Sequence, residues 1–280
     1  MYSHSNNFFT FMILFVYISN LDLMIIKLFS SLMLKKFINI NRLSFKRSMS
    51  TSSLSSETLW DPKSNIPDSI INYISESNYS NKYSQLNFFF QLISLLKQQK
   101  RTGWINMGIP NPESISDHMY RMSIISMVLD SKNFNNNNNN GELIDFSKCC
   151  KIALVHDIAE SLVGDIVPHD LNIDKVEKSK REYKAILYLC EIISKYSLEN
   201  ANEIKELWID YECQRNFEST IVKDIDKYEL LIQTFEYERL NNVRMDEFYS
   251  CRKVIKHEEI QKLADELINQ RNEFLKLNNL

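Results

Sequence analysis

The stretch 152–168, IALVHDIAESLVGDIVP, decides how the chain is read. An apolar run is interrupted by adjacent His156 and Asp157, with Glu160 further on and Asp165 just past Gly164. At about 3.6 residues per turn, a helix over 147–162 puts His156 and Glu160 on one face and Asp157 about 100° round. Leu154, Val155, Ile158 and Ala159 surround these polar groups, and an unpaired charge among them is costly. A divalent cation resolves the conflict, because neutral imidazole and carboxylate oxygen are its usual ligands. On the doublet alone, a hydrogen-bonded core pair is the plainer account, and only further residues of the chain can favour a metal.

Working outward, Gly164 and Pro168 end that helix. Upstream, Leu86, Phe89, Phe90, Ile93 and Leu96 recur at helical spacing from Tyr83, and Lys97 to Arg101 supply a basic C-terminal end. Residues 102–113, with two glycines and two prolines, read as a loop. Ser114 or Ser116 then caps a helix carrying His118, with Met122, Ile125 and Leu129 down one side; measured from Ser116, the capping box is incomplete. Downstream the pattern predicts helices over 175–196, 199–212, 217–240 and 258–275. Leu207, Trp208 and Tyr211 face inward on the second, and Ile221, Ile225, Tyr228 and Ile232 on the third, with Asp226 beside that stripe. No stretch alternates at period two for long enough to make a strand, so the fold class is all-α.

The chain divides into a leader (1–56), a linker (57–82) and a helical domain (83–280), the last interrupted by an asparagine-rich insert at 133–141 that reads as disordered. The leader has an apolar stretch from Phe8 to Ile26, six lysines and arginines from Lys27 to Arg47 with no acid among them, and a serine-rich tail. That composition suits a mitochondrial transit peptide. A signal anchor is the alternative, with Asp22 against it, and a later start at Met33 or Met49 is a third reading. The expected location is intracellular, mitochondrial if the leader is used and otherwise cytoplasmic.

Composition excludes other classes. The net charge is −3, and no basic stripe outside the leader suggests a nucleic-acid polymer as partner. Four glycines allow neither G-x-G-x-x-G nor a P-loop. Five cysteines form no C-x-x-C and no disulfide spacing, which fits reduced thiols. The helical domain is expected to have no stable membrane association.

His118, His156–Asp157 and Asp226 fall on three inward-facing helices in the order H…HD…D. With RTGW (101–104), PESISDHMYRM (112–122), ALVHDIAESLVGDI (153–166) and VKDIDKYELLIQ (222–233), the chain resembles the HD-domain metal-dependent phosphohydrolases, and within them the 5′-deoxynucleotidase group. The resemblance implies a helical bundle in which His118, His156, Asp157 and Asp226 hold a divalent cation, Mn²⁺, Co²⁺ or Mg²⁺. It also implies a second hydrated cation on Glu160, Asp165 and the carbonyl of Ile166, and a homodimer. The expected reaction removes phosphate from deoxyribonucleoside 5′-monophosphates. Glu160 is the expected catalytic group for the attacking water, and Arg101 the phosphate clamp. Trp104 is read either as a wall for the base or sugar or as ordinary packing. Asp165 is assigned both to catalysis and to the 3′-hydroxyl contact. Another HD-type activity (a pyrophosphohydrolase or phosphodiesterase) and a non-catalytic nucleotide-binding module are the competing readings. The first usually carries further histidines; the second predicts a lost ligand or a lost Glu160, and none is lost. His257 is expected at the surface, and Met119, Met122 and Met127 in the core.

Overall fold

The computed structural model describes residues 60–72, 81–134, 144–167 and 170–278. The leader, most of the asparagine tract, Pro168 and His169 lie outside the described residues. Ten α-helices are present among them: α1 (Asp68–Ile71), α2 (Lys82–Ile93), α3 (Thr102–Asn106), α4 (Ile115–Val128), α5 (Phe146–Val155), α6 (Glu160–Val163), α7 (Lys175–Ser194), α8 (Leu198–Cys213), α9 (Phe217–Asn241) and α10 (Glu258–Asn278). Short 3₁₀ segments occupy 62–65, 94–97, 131–134 and 246–254. The only strand-like pairing among the described residues is an isolated antiparallel bridge between Lys100 and Ser114. The fold is all-α.

The helices surround one main core. Leu92 from α2, Ile115 and Met122 from α4, Ile152 and Ala153 from α5, Ile186 and Leu189 from α7, and Ile221 and Ile225 from α9 are all fully buried. The segment read as linker adds Ile66 and Ile70 to this core. Two expectations change in register: Phe90 and Met127 face outward, the latter 68 % exposed. His257 is not a surface residue; its side chain is 11 % exposed and its Nδ1 lies 2.7 Å from Asp224.

Three local departures shape the site. Residues 102–113 are not all loop, since Thr102–Asn106 turn as α3. Ser114, not Ser116, caps α4, and with Asp117 it completes the capping box. The helix expected over 147–162 breaks after Val155. The amides of Ile158, Glu160, Ser161 and Leu162 each bond three residues back, to Val155, Asp157, Ile158 and Ala159. A three-residue turn eclipses positions i and i+3, so Glu160 stands over Asp157 and not over His156. Gly164, at φ 83°, then turns the chain out of α6 in a conformation that favours glycine.

Candidate metal centre

His118 reaches the centre from the second turn of α4, His156 and Asp157 from the corner between α5 and α6, and Asp226 from the middle of α9. His118 and His156 are buried with ring centroids 5.6 Å apart. One ligand atom each from His118, His156 and Asp157 fits within a mutual separation of 4.8 Å. Asp226 joins through His118, its Oδ1 lying 3.4 Å from His118 Nε2.

The outward-facing atoms of these groups are already committed. Asp226 Oδ2 accepts from the Tyr211 hydroxyl at 2.9 Å and from Lys227 Nζ at 3.0 Å, which leaves Oδ1 toward His118. His118 Nδ1 is 2.5 Å from Glu229 Oε2, and Arg121 Nε donates to the other oxygen of Glu229 at 2.8 Å. His156 Nδ1 donates to the Ala153 carbonyl at 2.9 Å. Among the described residues four buried side-chain atoms have no hydrogen-bond partner, and three of them, His118 Nε2, His156 Nε2 and Glu160 Oε2, lie at this centre; the fourth is Gln99 Oε1. Orphaned buried polar atoms are rare and costly. Two imidazole nitrogens fixed by bonds at their far side are the usual arrangement of metal-ligating histidines, so the donor set fits a divalent cation. Glu113, His118 and Glu229 also cluster within 4.8 Å. The Nδ1 of His118 is spent on Glu229 on that side, so the open coordination lies on the Nε2 side.

The protein groups at this site hold one another in steep electrostatic balance. Burial and Arg101 pull the His118 pKa down, but Glu229 and Asp226 outweigh them and lift it to about 9. Burial opposes ionisation of Asp157, yet His156, His118 and Arg101 hold it below the usual carboxylate range. Asp226 is likewise held low against burial by Lys227, His118 and Lys223. Glu160 goes the other way, since burial and the charges of Asp157 and Asp165 push its carboxyl well up.

Arg101 sits at the N-cap of α3 with its guanidinium 3.5 Å from Asp157 Oδ2. Its loop is pinned at both ends. Arg101 N donates to the Glu113 carbonyl at 3.1 Å, while Thr102 donates through its amide to Asp165 Oδ2 at 2.6 Å and through its hydroxyl to the Asp165 carbonyl at 2.7 Å. Asp165 therefore positions the arginine loop.

Trp104 does not face the centre. It is 1 % exposed, packs against Tyr237, Phe248 and Met245, and donates Nε1 to Glu113 Oε1 at 2.9 Å. Of the two readings of Trp104, this geometry supports packing. The groups assigned to a second cation are also partly engaged, because Lys178 Nζ donates to the Ile166 carbonyl at 2.8 Å and lies 3.6 Å from Glu160 Oε1. Glu229, Arg121, Lys227 and Lys178 were not picked out from sequence, and Tyr211 only as an inward-facing core residue. Glu229 carries a signal there, since it follows Asp226 by three positions and so shares its face of α9.

An all-α bundle that converges two imidazoles and two carboxylates in the order H…HD…D defines a class, and the comparison with known families agrees. The HD domain family matches residues 93–267, and the chain belongs to that family. Among curated relatives, the 5′-deoxynucleotidase YGK1 of Saccharomyces cerevisiae is 43 % identical over 219 residues, covering 77 % of this chain and 95 % of that protein. The 5′-deoxynucleotidase HDDC2 of Dictyostelium discoideum is 43 % identical over 189 residues, 65 % of this chain and 96 % of that protein. The solved structure of HD domain-containing protein YGK1 superposes with a TM-score of 0.54 at 35 % identity, covering 77 % of this chain and 99 % of that one.

Proposed function

We propose that this protein is a metal-dependent 5′-deoxynucleotidase, hydrolysing deoxyribonucleoside 5′-monophosphates to deoxynucleoside and phosphate. The observation that carries the reading is the pair of buried imidazole Nε2 atoms that make no hydrogen bond, His156 Nε2 lying 3.1 Å from Asp157 Oδ2 and His118 Nε2 lying 3.4 Å from Asp226 Oδ1. Relatives named 5′-deoxynucleotidases, at 38–43 % identity, supply the substrate class.

His118, His156, Asp157 and Asp226 would hold the cation, with Mn²⁺, Co²⁺ or Mg²⁺ as the ions this donor set suits. The cation supplies charge that acidifies water and polarises the phosphoryl group. The chain's own residues do the rest. Arg101, next to Asp157, offers a planar fork for the phosphate oxygens and neutralises them as they arrive. Glu160 presents the partnerless Oε2 as the atom that takes a proton from the attacking water. Burial, with Asp157 and Asp165 beside it, raises the basicity of that carboxylate, as a proton acceptor requires. Asp165 holds the Arg101 loop through Thr102 and is the carboxylate that would meet the sugar 3′-hydroxyl.

Phosphate release from purified full-length protein with Mn²⁺ or Co²⁺, across deoxy- and ribonucleoside 5′-monophosphates, tests the reading. Turnover of the deoxy series well above the ribo series is expected. Release from neither would contradict catalysis, and equal rates would contradict the sugar preference.

The homodimer reading gains support from α4. Tyr120, Ile124, Met127 and Val128 lie exposed at i, i+4, i+7 and i+8, a continuous apolar stripe of a kind that commonly marks an interface. Met127→Glu is expected to halve the mass seen by light scattering; an unchanged mass would remove this face from the interface. The leader's role in targeting stays a proposal from composition. Among the described residues no helix is long and apolar enough to cross a membrane.

A further inference from the structure

Lys178 stands where a lysine is poorly placed on helical grounds. It is the fourth residue of α7, its own N–H already bonded to the Asp174 carbonyl, close to the helix end that carries partial positive charge. Its side chain is only 26 % exposed. The ammonium faces three oxygens from three parts of the fold: the Ile166 carbonyl at 2.8 Å, Glu182 Oε1 at 3.4 Å and Glu160 Oε1 at 3.6 Å. Carboxylate and carbonyl oxygens are the donor set of a hard divalent cation. Two of the three groups that the family resemblance assigns to a second cation, Glu160 and the Ile166 carbonyl, are among them. The third, Asp165, directs Oδ2 to the Thr102 amide instead.

We propose that the Lys178 ammonium is the resident cation of this second position, so that the protein holds one divalent ion and not two. Lys178 is also a positioning residue. It engages Glu160 Oε1 and leaves Oε2, which has no partner in the protein, as the oxygen available to water. The alternative, a hydrated divalent ion on the same oxygens, would need the ammonium to leave, because two cations cannot share the Ile166 carbonyl at bonding distance without strong repulsion. The inference rests on the metal-dependent reading above but fails separately from it.

The test counts ions. Full-length protein is dialysed to equilibrium against Mn²⁺ and the bound metal measured by atomic emission, with electron paramagnetic resonance to detect coupled Mn²⁺ pairs. Wild type and Lys178→Arg are expected to bind one ion per chain with an uncoupled spectrum. Lys178→Met, checked for helicity by circular dichroism, is expected to bind two and to show a coupled pair. Two ions in wild type, or one in folded Lys178→Met, would overturn the inference. If Lys178→Met does not fold, the wild-type count still decides between one ion, which supports it, and two, which overturns it. No bound ion in wild type would overturn the metal reading itself and this inference with it.

Discussion

The two histidines of the centre are both buried and neither Nε2 makes a hydrogen bond, but they are held in different ways. His118 is gripped by a carboxylate, Glu229, which is itself braced by Arg121; His156 is gripped by the backbone carbonyl of Ala153 within its own helix. A carboxylate behind an imidazole raises its basicity and attracts a proton as well as a metal, whereas a carbonyl fixes the tautomer at little electrostatic cost. One side of the centre is therefore set by long-range charge, across 111 positions of sequence, and the other by local helix geometry. The first side can be tuned by substitution and pH, while the second is built into the bend.

The largest effect should come from removing a ligand on the charged side. Asp226→Ala takes away an oxygen beside His118 and is expected to abolish metal retention, lowering turnover by roughly 10⁴-fold or more; elemental analysis of the purified variant checks it, and normal metal content would refute the assignment. On the bend side, Glu160→Gln removes the proton acceptor while leaving the cluster of His118, His156 and Asp157 intact. It should keep its metal and bind nucleotide, but lose on the order of 10²–10³ in kcat, as measured by steady-state kinetics beside calorimetric binding of a deoxynucleotide.

A smaller effect sharpens the contrast between the two imidazoles. Glu229→Gln should weaken metal affinity by about 10–100-fold, the usual cost of an outer partner, while turnover at saturating metal stays near wild type. The pH dependence follows from the same contact. His118 titrates near 9 in the metal-free protein, and the cation needs its Nε2 deprotonated, so apparent affinity should rise with pH, by about tenfold per unit at most, and level off near 9. In Glu229→Gln the levelling should move to lower pH, as competition titrations with a chelator would reveal. The sign for folding is opposite. A pKa raised from 6.5 to about 9 contributes stability to the metal-free protein that is complete below about 6.5 and lost as pH rises through 9.

Much of this was legible in the chain. Helix periodicity placed α7, α8, α9 and α10 to within a few residues, because each buries a regular apolar stripe. The set of His118, His156, Asp157 and Asp226 was readable from the order H…HD…D and the family resemblance, with His156, Asp157 and Asp226 also out of place among aliphatics. What escaped depends on tertiary placement. The bend at 156–160 arises from backbone bonds that no periodicity marks. The burial of Trp104 is set by Tyr237 and Phe248, more than 130 positions away, and Lys178 finds Ile166 and Glu160 outside its own helix. The capping box at Ser114 and Asp117 and the spacing of Glu229 from Asp226 were present in the sequence and could have been found.

The central claim is that four side chains from α4, the α5–α6 corner and α9 close on one ion. A crystal of the full chain soaked in Mn²⁺, with anomalous scattering collected at the manganese edge, tests it most directly. The account predicts a strong peak bonded to His118 Nε2, His156 Nε2, Asp157 and Asp226 Oδ1; no peak there, or one seated instead among Glu113, His118 Nδ1 and Glu229, would contradict it.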